Sequence, residues 1–259
     1  MYPVRLNKYI SHNTKYSRRE ADKLIEEGRV KINHKVINDL STKVEKEDRV
    51  FIDSKLIKPS TKFTVIVYHK QKGELVTKKD DRGRKTIYDN LPKKYAHFIP
   101  IGRLDFTSEG ILLLTDSPKV ATKLMHSRLE RVYYLKIKGF VTPKMEEAMM
   151  EGLYLEDATK GAHEKSRQKS MEFAPFVAYK IIKNSPTFSK LKVVINEGKN
   201  RELRRFFAYF DAEVADLKRV SFAGISLGIL KEGKTRYLTK KEYDDLHKFL
   251  KEEKKRQNE

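Results

Sequence analysis

Ile101-Gly-Arg-Leu-Asp-Phe-Thr-Ser-Glu-Gly-Ile-Leu-Leu-Leu-Thr115 sets one carboxylate, Asp105, beside Arg103 in a loop that runs straight into an apolar segment. Residues 111–114 are apolar and long enough for a buried strand, and Gly102 and Gly110 give its approach the backbone freedom of a tight turn. A carboxylate held by such a scaffold is a candidate reactive group. From spacing alone, Asp105 and Arg103 read equally well as an ordinary loop ion pair.

The 259 residues allow one large domain, or a small one joined to a larger, and 39% hydrophobic content suffices for a true core. With 56 Lys+Arg against 36 Asp+Glu the formal net charge is +20, which favours a polyanionic partner, nucleic acid foremost. No segment approaches the roughly 20 apolar residues that span a bilayer. Met1-Tyr-Pro-Val-Arg5 lacks the apolar core of a signal peptide, so the expected location is the cytoplasm. The absence of cysteine excludes disulfides, thiol nucleophiles and Cys-based zinc or iron–sulfur sites. His12, His34, His69, His97, His126, His163 and His247 show no metal-ligand spacing, so neither a metal nor a cofactor is expected.

Residues 5–58 read as a small unit. Ser17-Arg-Arg-Glu20 is a capping box, whose hydroxyl and carboxylate satisfy each other's backbone amides, so a helix starts there and Gly28 ends it. Leu24 and Ile25 on its apolar face are placed to pack on Leu6, Tyr9 and Ile10, leaving Arg5, Lys8, Arg18, Arg19, Lys23 and Arg29 along a basic edge. Val30, Ile32, Val36, Ile37, Val44, Val50 and Ile52 alternate with polar residues as short strands do. Pattern alone permits a small α+β module with a merely solvated basic face. Arg5-Leu-Asn-Lys-Tyr-Ile10, Ser17-Arg-Arg-Glu-Ala21, Gly28-Arg-Val-Lys-Ile-Asn33 and Asp48-Arg-Val50, however, resemble an S4 RNA-binding domain. The resemblance makes residues 1–60 an RNA-gripping unit.

Residues 55–62, centred on Pro59-Ser60-Thr61, are the natural linker. A strand is expected over residues 63–68, then a turn-rich run with Gly73, Asp80-Asp81 and Gly83. Ser117-Pro118 and Thr142-Pro143 each set a capping hydroxyl before a proline, so helices begin there. Strands around residues 132–138, 176–182 and 191–195 complete an α+β domain over residues 61–250, a mixed sheet with helices packed on it. Thr239-Lys-Lys-Glu242 is a second capping box and opens a final helix with Tyr243, Leu246, Phe249 and Leu250 in one stripe. Residues 251–259 lose that stripe and read as a frayed, charged tail.

Two further segments carry reactive side chains. Val193-Val-Ile-Asn-Glu-Gly-Lys-Asn-Arg-Glu-Leu-Arg-Arg-Phe-Phe207 reads as a strand, a glycine turn and a basic helix start, suited to a phosphate or a carboxylate or else simply solvated. In Arg131-Val-Tyr-Tyr-Leu-Lys-Ile137 the adjacent tyrosines face opposite ways on a strand, so at most one lines a given site. Gly228-Ile-Leu-Lys-Glu-Gly-Lys-Thr235 fits the phosphate-loop pattern letter for letter, but that motif needs a strand before it and a helix directly after. Helix capping begins only at Thr239, so a bound nucleotide is not expected.

Gly102-Arg-Leu-Asp105, with Thr107, Gly110 and the leucine run, closely resembles the catalytic motif of pseudouridine synthases of the RsuA/RluB family. Lys70-Gln-Lys-Gly-Glu74 and Tyr88-Asp-Asn-Leu-Pro92 resemble the opening of that family's catalytic domain, with Gln71 where proline is usual. Residues 193–207 resemble its third motif, with Lys199 for the commoner arginine and Glu202 for the commoner glutamine. The resemblance implies a mixed, mostly antiparallel sheet flanked by helices, and isomerisation of uridine to pseudouridine without a cofactor. It implies Asp105 as catalytic carboxylate, Arg204 as its partner, Tyr133 beside the uracil ring and Leu203 beneath it. Arg103 would fill the space of a flipped base, with Lys199 and Arg201 also on the substrate. The branch most resembled is RluB, so 23S ribosomal RNA is the expected partner of a monomeric enzyme. A small-subunit (16S) substrate and a non-catalytic ribosome-assembly role are the alternatives.

Overall fold

The computed structural model describes residues 2–58, 62–163, 166 and 168–256. In the first unit α1 (Leu6–Asn13) precedes α2 (Arg18–Glu26), and the capping box forms as written. Ser17 Oγ accepts from the Glu20 amide at 3.3 Å and Glu20 Oε2 from the Ser17 amide at 2.7 Å. Strand β1 (Val4–Arg5) pairs with β4 (Lys43–Val44), while β2 (Val30–Ile32), β3 (Lys35–Val36), β5 (Val50–Ile52) and β6 (Lys55–Leu56) form an antiparallel sheet in the order β3-β2-β5-β6. Leu6, Ile10, Leu24, Ile25, Val30, Val50 and Ile57 close its core. Because Lys55 and Leu56 are sheet residues and Ile57 is core, the connection to the second unit starts later than residue 55. Pro59-Ser60-Thr61 lie outside the described residues.

The second unit is built on a nine-stranded mixed sheet. Its main path runs β13 (Ala178–Lys183), β14 (Phe188–Ile195), β10 (Arg131–Lys138), β15 (Val214–Phe222), β9 (Glu109–Thr115), β7 (Val65–Lys70) and β17 (Thr235–Tyr237). Strand β8 (Ile99–Pro100) adds to β9 and β16 (Ile225–Ser226) to β15, and β11 (Leu153–Leu155) pairs separately with β12 (Met171–Phe173). Every pair is antiparallel except β9 with β15. The two halves of the sheet differ in sequence because they differ in cover. In β7 all six residues are buried: Val65 and Val67 pack with α3 (Pro118–Met125) and α6 (Lys240–Arg256), while Ile66 and Tyr68 pack with Ile87, Leu91 and Phe98. A strand covered on both faces reads as a continuous apolar run. Strand β10 is covered on one face and alternates: Tyr133, Leu135 and Ile137 join a core with α4 (Pro143–Glu151) and α5 (Glu202–Tyr209), and Tyr134 and Lys138 are exposed.

The helices begin at Pro118 and Pro143 as expected, with Ser117 and Thr142 as caps. The Thr239 capping box also forms, and Tyr243 stacks on Phe63 at 5.6 Å while donating its hydroxyl to the Phe63 carbonyl. The frayed tail is a correction: α6 continues to Arg256, and only residues 257–259 lie outside the described residues. Lys and Glu are good helix formers, and extending an existing helix needs no apolar stripe. Residues 228–234 form a loop between β16 and β17, and extended chain rather than a helix follows Thr235, so the phosphate-loop architecture does not form.

At the parallel junction Gly110 pairs with Arg219 at φ +112°, a conformation that L side chains rarely adopt, and a Cβ there would stand 2.1 Å from the Arg219 carbonyl oxygen. Gly110→Ala is therefore expected to lower stability by about 2–4 kcal/mol through backbone strain and overpacking. Urea unfolding of the two proteins measures the difference.

Candidate active site

Asp105 stands in the turn that leads into β9, where the Ser108 amide donates to the Asp105 carbonyl at 3.0 Å and the Gly73 amide to the Phe106 carbonyl at 2.8 Å. Below the turn, the fully buried Lys70 donates its ammonium to the carbonyls of Ser108 and Gln71, both at 2.8 Å. Burial pulls the Lys70 pKa down to about 8, against the opposing pull of Glu74, Asp105 and Glu109. One buried cation thus holds the loop by its backbone.

The partners of Asp105 come from α5 and not from the neighbouring arginine. Asp105 Oδ2 accepts from Arg201 Nη1 at 3.3 Å and faces Arg204 Nε at 3.5 Å. Arg201 reaches it from the residue before the helix, in a left-handed conformation, with Nε donating to the Gly161 carbonyl at 2.7 Å. Arg204 uses its other nitrogens elsewhere: Nη1 donates to the Val214 carbonyl at 2.9 Å and Nη2 to Ser108 Oγ at 3.1 Å. Its contact with Asp105 is edge-on through Nε, not a parallel two-bond fork. Burial lowers the Arg204 pKa, with the Asp105 charge opposing.

Asp105 opens onto a cavity of about 460 Å³, within the usual range for a small-molecule-sized site. Its walls include apolar Leu104, Leu203 and Ile195, the Tyr133 ring, and Arg103, Arg131, Arg201, Arg204 and Arg219. Tyr133 and Arg219 are cross-strand partners and so enter from one face. Tyr134 points to the other. Arg131 and Arg219 are nearly fully buried, with Arg131 Nη1 on the Leu129 and Asn196 carbonyls and Arg219 Nε on that of Ile111. Arg219 Nη2 is a buried donor with no protein partner. A pocket in which arginines outnumber the two carboxyl groups, Asp105 and Glu202, concentrates anionic groups such as phosphates.

On the first unit, Arg5, Arg18, Arg19 and Lys23 are exposed and Lys8 half-buried. The charges of Lys8, Arg18 and Lys119 converge on His12, whose pKa burial and those charges push down to about 4. Lys119 also donates to Asn13 Oδ1 at 3.0 Å, so the cationic edge continues onto the second unit.

A family model described as RNA pseudouridylate synthase matches residues 64–209, more than half of the chain, and an S4 domain model matches residues 4–50. The chain belongs to the RNA pseudouridine synthases. This synthase is 59% identical over 251 residues to an uncharacterized RNA pseudouridine synthase of Helicobacter pylori, covering 96% of the chain and 95% of that relative. It is 35% identical over 240 residues to the ribosomal large subunit pseudouridine synthase B of Bacillus subtilis, covering 91% and 92%. A crystal structure of a pseudouridylate synthase superposes with a TM-score of 0.63 at 25% identity, over 94% of this chain and 99% of that one.

The structure of the synthase brings Asp105, Arg103, Tyr133, Lys199, Arg201, Leu203 and Arg204 to one cavity. Two of the expected RNA-facing cations have protein partners. The Lys199 ammonium is held by Glu197 at 2.7 Å and the Glu172 carbonyl at 2.5 Å, and the Arg29 fork is closed on Asp53 and Glu27. Sequence reasoning passed over Lys70, Arg131 and Arg219. Their burial, with Lys70 at the end of β7, Arg131 at the start of β10 and Arg219 beside Lys218 in β15, is set by contacts across the fold, since a buried charge is retained only with partners.

Glu202 is nearly buried in the cavity wall and accepts from the Lys199 amide at 3.0 Å. Burial raises its pKa from 4.5 to about 7. The folded chain therefore keeps a proton that the unfolded chain has lost across that window, and stability falls as pH rises through it. Glu202→Gln removes this slope: the stability of the Gln variant relative to wild type is expected to rise by about 3 kcal/mol between pH 4.5 and 7.5. Urea titrations at stepped pH test it.

Proposed function

We propose that this synthase isomerises a uridine of 23S ribosomal RNA to pseudouridine, with Asp105 as the reactive carboxylate. The observation that carries the reading is the meeting of Asp105 with Arg201 and Arg204, from distant parts of the chain, at the wall of a cavity the size of a nucleoside. The name of the Bacillus subtilis relative supports a large-subunit substrate. All of these side chains come from one chain, so a monomer suffices.

The target base leaves its stack at a cost of a few kcal/mol and enters the cavity. Leu203 and Leu104 offer it an apolar floor, Tyr133 an aromatic wall, and exposed Arg103 stands at the mouth to fill the vacated space. Asp105 breaks the N1–C1′ bond, either by attack on C1′ or by taking the C2′ proton. The uracil turns and C5 bonds to C1′ as the Asp105–C1′ bond breaks, or, on the elimination route, as C2′ regains the proton that Asp105 took; N1 gains a proton and C5 loses one. In this reading the Tyr133 hydroxyl handles the C5 proton.

Asp105→Asn is expected to abolish product in single-turnover assays while RNA affinity stays within a few fold, because affinity rests on phosphate contacts. Appreciable turnover by the Asn variant refutes the assignment. Mapping pseudouridine in ribosomal RNA from cells with and without the protein gives the address, and a change confined to 16S RNA removes the 23S reading. Arg18→Ala together with Arg19→Ala is expected to weaken RNA binding and to flatten the slope of log K against log salt by roughly 1.4–1.8. Filter binding across salt concentrations reads this directly.

A further inference from the structure

The half of the sheet that carries the cavity has a second face with no helix on it. Along β13, β14 and β10 the residues that alternate away from the core are exposed or half-exposed. Cross-strand register sets Lys180 opposite Lys192, Lys192 opposite Tyr134, and Tyr134 opposite Lys218. With strands about 4.8 Å apart, this is one straight row about 14 Å long, and the next row, with Lys190 opposite Lys136, lies about 7 Å away. Tyr134 is 43% exposed, so its ring is open at the middle of the first row. Lys218 is paired with Glu109, but among the described residues no ion pair involves Lys180, Lys190 or Lys192.

A second observation stands at the end of the row. Tyr134, Lys192 and Lys218 border a hollow of about 560 Å³, closed by the Gly228, Ile229 and Leu230 edge of the loop that imitates a phosphate-binding motif. His69 lines it from β7 and is 4% exposed. Its Nδ1 lies 2.7 Å from the Leu230 carbonyl, while its Nε2 is buried without a partner. An isolated lysine row is usually only a solvated face. Unpaired ammonium groups in rows, an open aromatic ring between them and an unsatisfied buried imidazole nitrogen beside it call for a partner with phosphates, flat bases and hydroxyls.

We propose that this far face of the sheet is a second RNA-binding platform, which takes a single-stranded segment of the substrate RNA away from the target uridine. Lys180, Lys190 and Lys192 neutralise phosphates, and Tyr134 stacks one base at the edge of the hollow. The inference rests on membership of the RNA pseudouridine synthases and not on the role of Asp105, so its failure leaves that assignment untouched.

The test uses the full chain and a single-stranded RNA of about ten nucleotides, within the range of known single-strand site sizes. Lys180→Glu, Lys190→Glu and Lys192→Glu combined are expected to lower affinity at least about tenfold and to reduce the salt slope by about 2, at roughly 0.7 per lost contact. Lys240→Glu, Lys241→Glu and Lys248→Glu on exposed positions of α6 remove the same charge and are expected to cost less than about threefold. Equal losses in the two triple variants, or none in the first, overturn the platform. Since the chain has no tryptophan, Tyr134→Trp gives a single local reporter. Its fluorescence is expected to be quenched by the RNA, and absence of quenching under saturating RNA overturns the stacking role.

Discussion

One guanidinium ties the site together. Arg204 touches the Asp105 carboxylate with Nε, the Ser108 hydroxyl with one terminal nitrogen and the Val214 carbonyl with the other. These groups belong to the loop before β9, to that same loop's far end, and to the start of β15. The two strands meet as a parallel pair at Gly110 and Arg219, so the side-chain bridge and the backbone junction fix the same pair of segments from opposite ends. Lysine could not span all three contacts, because its three donors radiate from one nitrogen and lack the planar spread of a guanidinium. The position is thereby more a matter of shape than of charge.

Around that bridge, the cavity is assembled from cations whose own demands are met by backbone carbonyls. Arg131 and Arg219 donate to main-chain oxygens, which cost nothing in negative charge, and Arg201 adds the Gly161 carbonyl to its pairing with Asp105. The positive field is left facing inward. Were the same arginines paired with carboxylates, the pocket would be neutral and indifferent to a phosphodiester.

Much of this was legible beforehand. Capping boxes at Ser17 and Thr239, proline starts at Pro118 and Pro143, and the opposite facing of Tyr133 and Tyr134 are local rules, and each holds in the structure. The motif around Asp105 was readable because it joins a glycine turn to a buried strand. What was not legible depends on contacts across the fold. That Lys199 turns to Glu197 and Arg29 to Asp53, or that Arg204 meets Asp105 edge-on, follows from where helices and strands dock. The phosphate-loop match at Gly228 shows the converse, for a letter pattern without its strand and helix does not build the phosphate-loop architecture.

The separation of the two cores also sets an order of assembly during synthesis. All core residues of the RNA-gripping unit lie between Leu6 and Ile57, so its contact set is complete before the second sheet has begun. That sheet cannot close until β15, β17 and α6 have emerged, since β9 pairs with residues about a hundred positions later and β7 with the strand just before the last helix. Long-range pairing is slow to form, and domains fold as units from the N-terminus. The nascent chain therefore holds a finished RNA anchor well before it holds a reactive pocket.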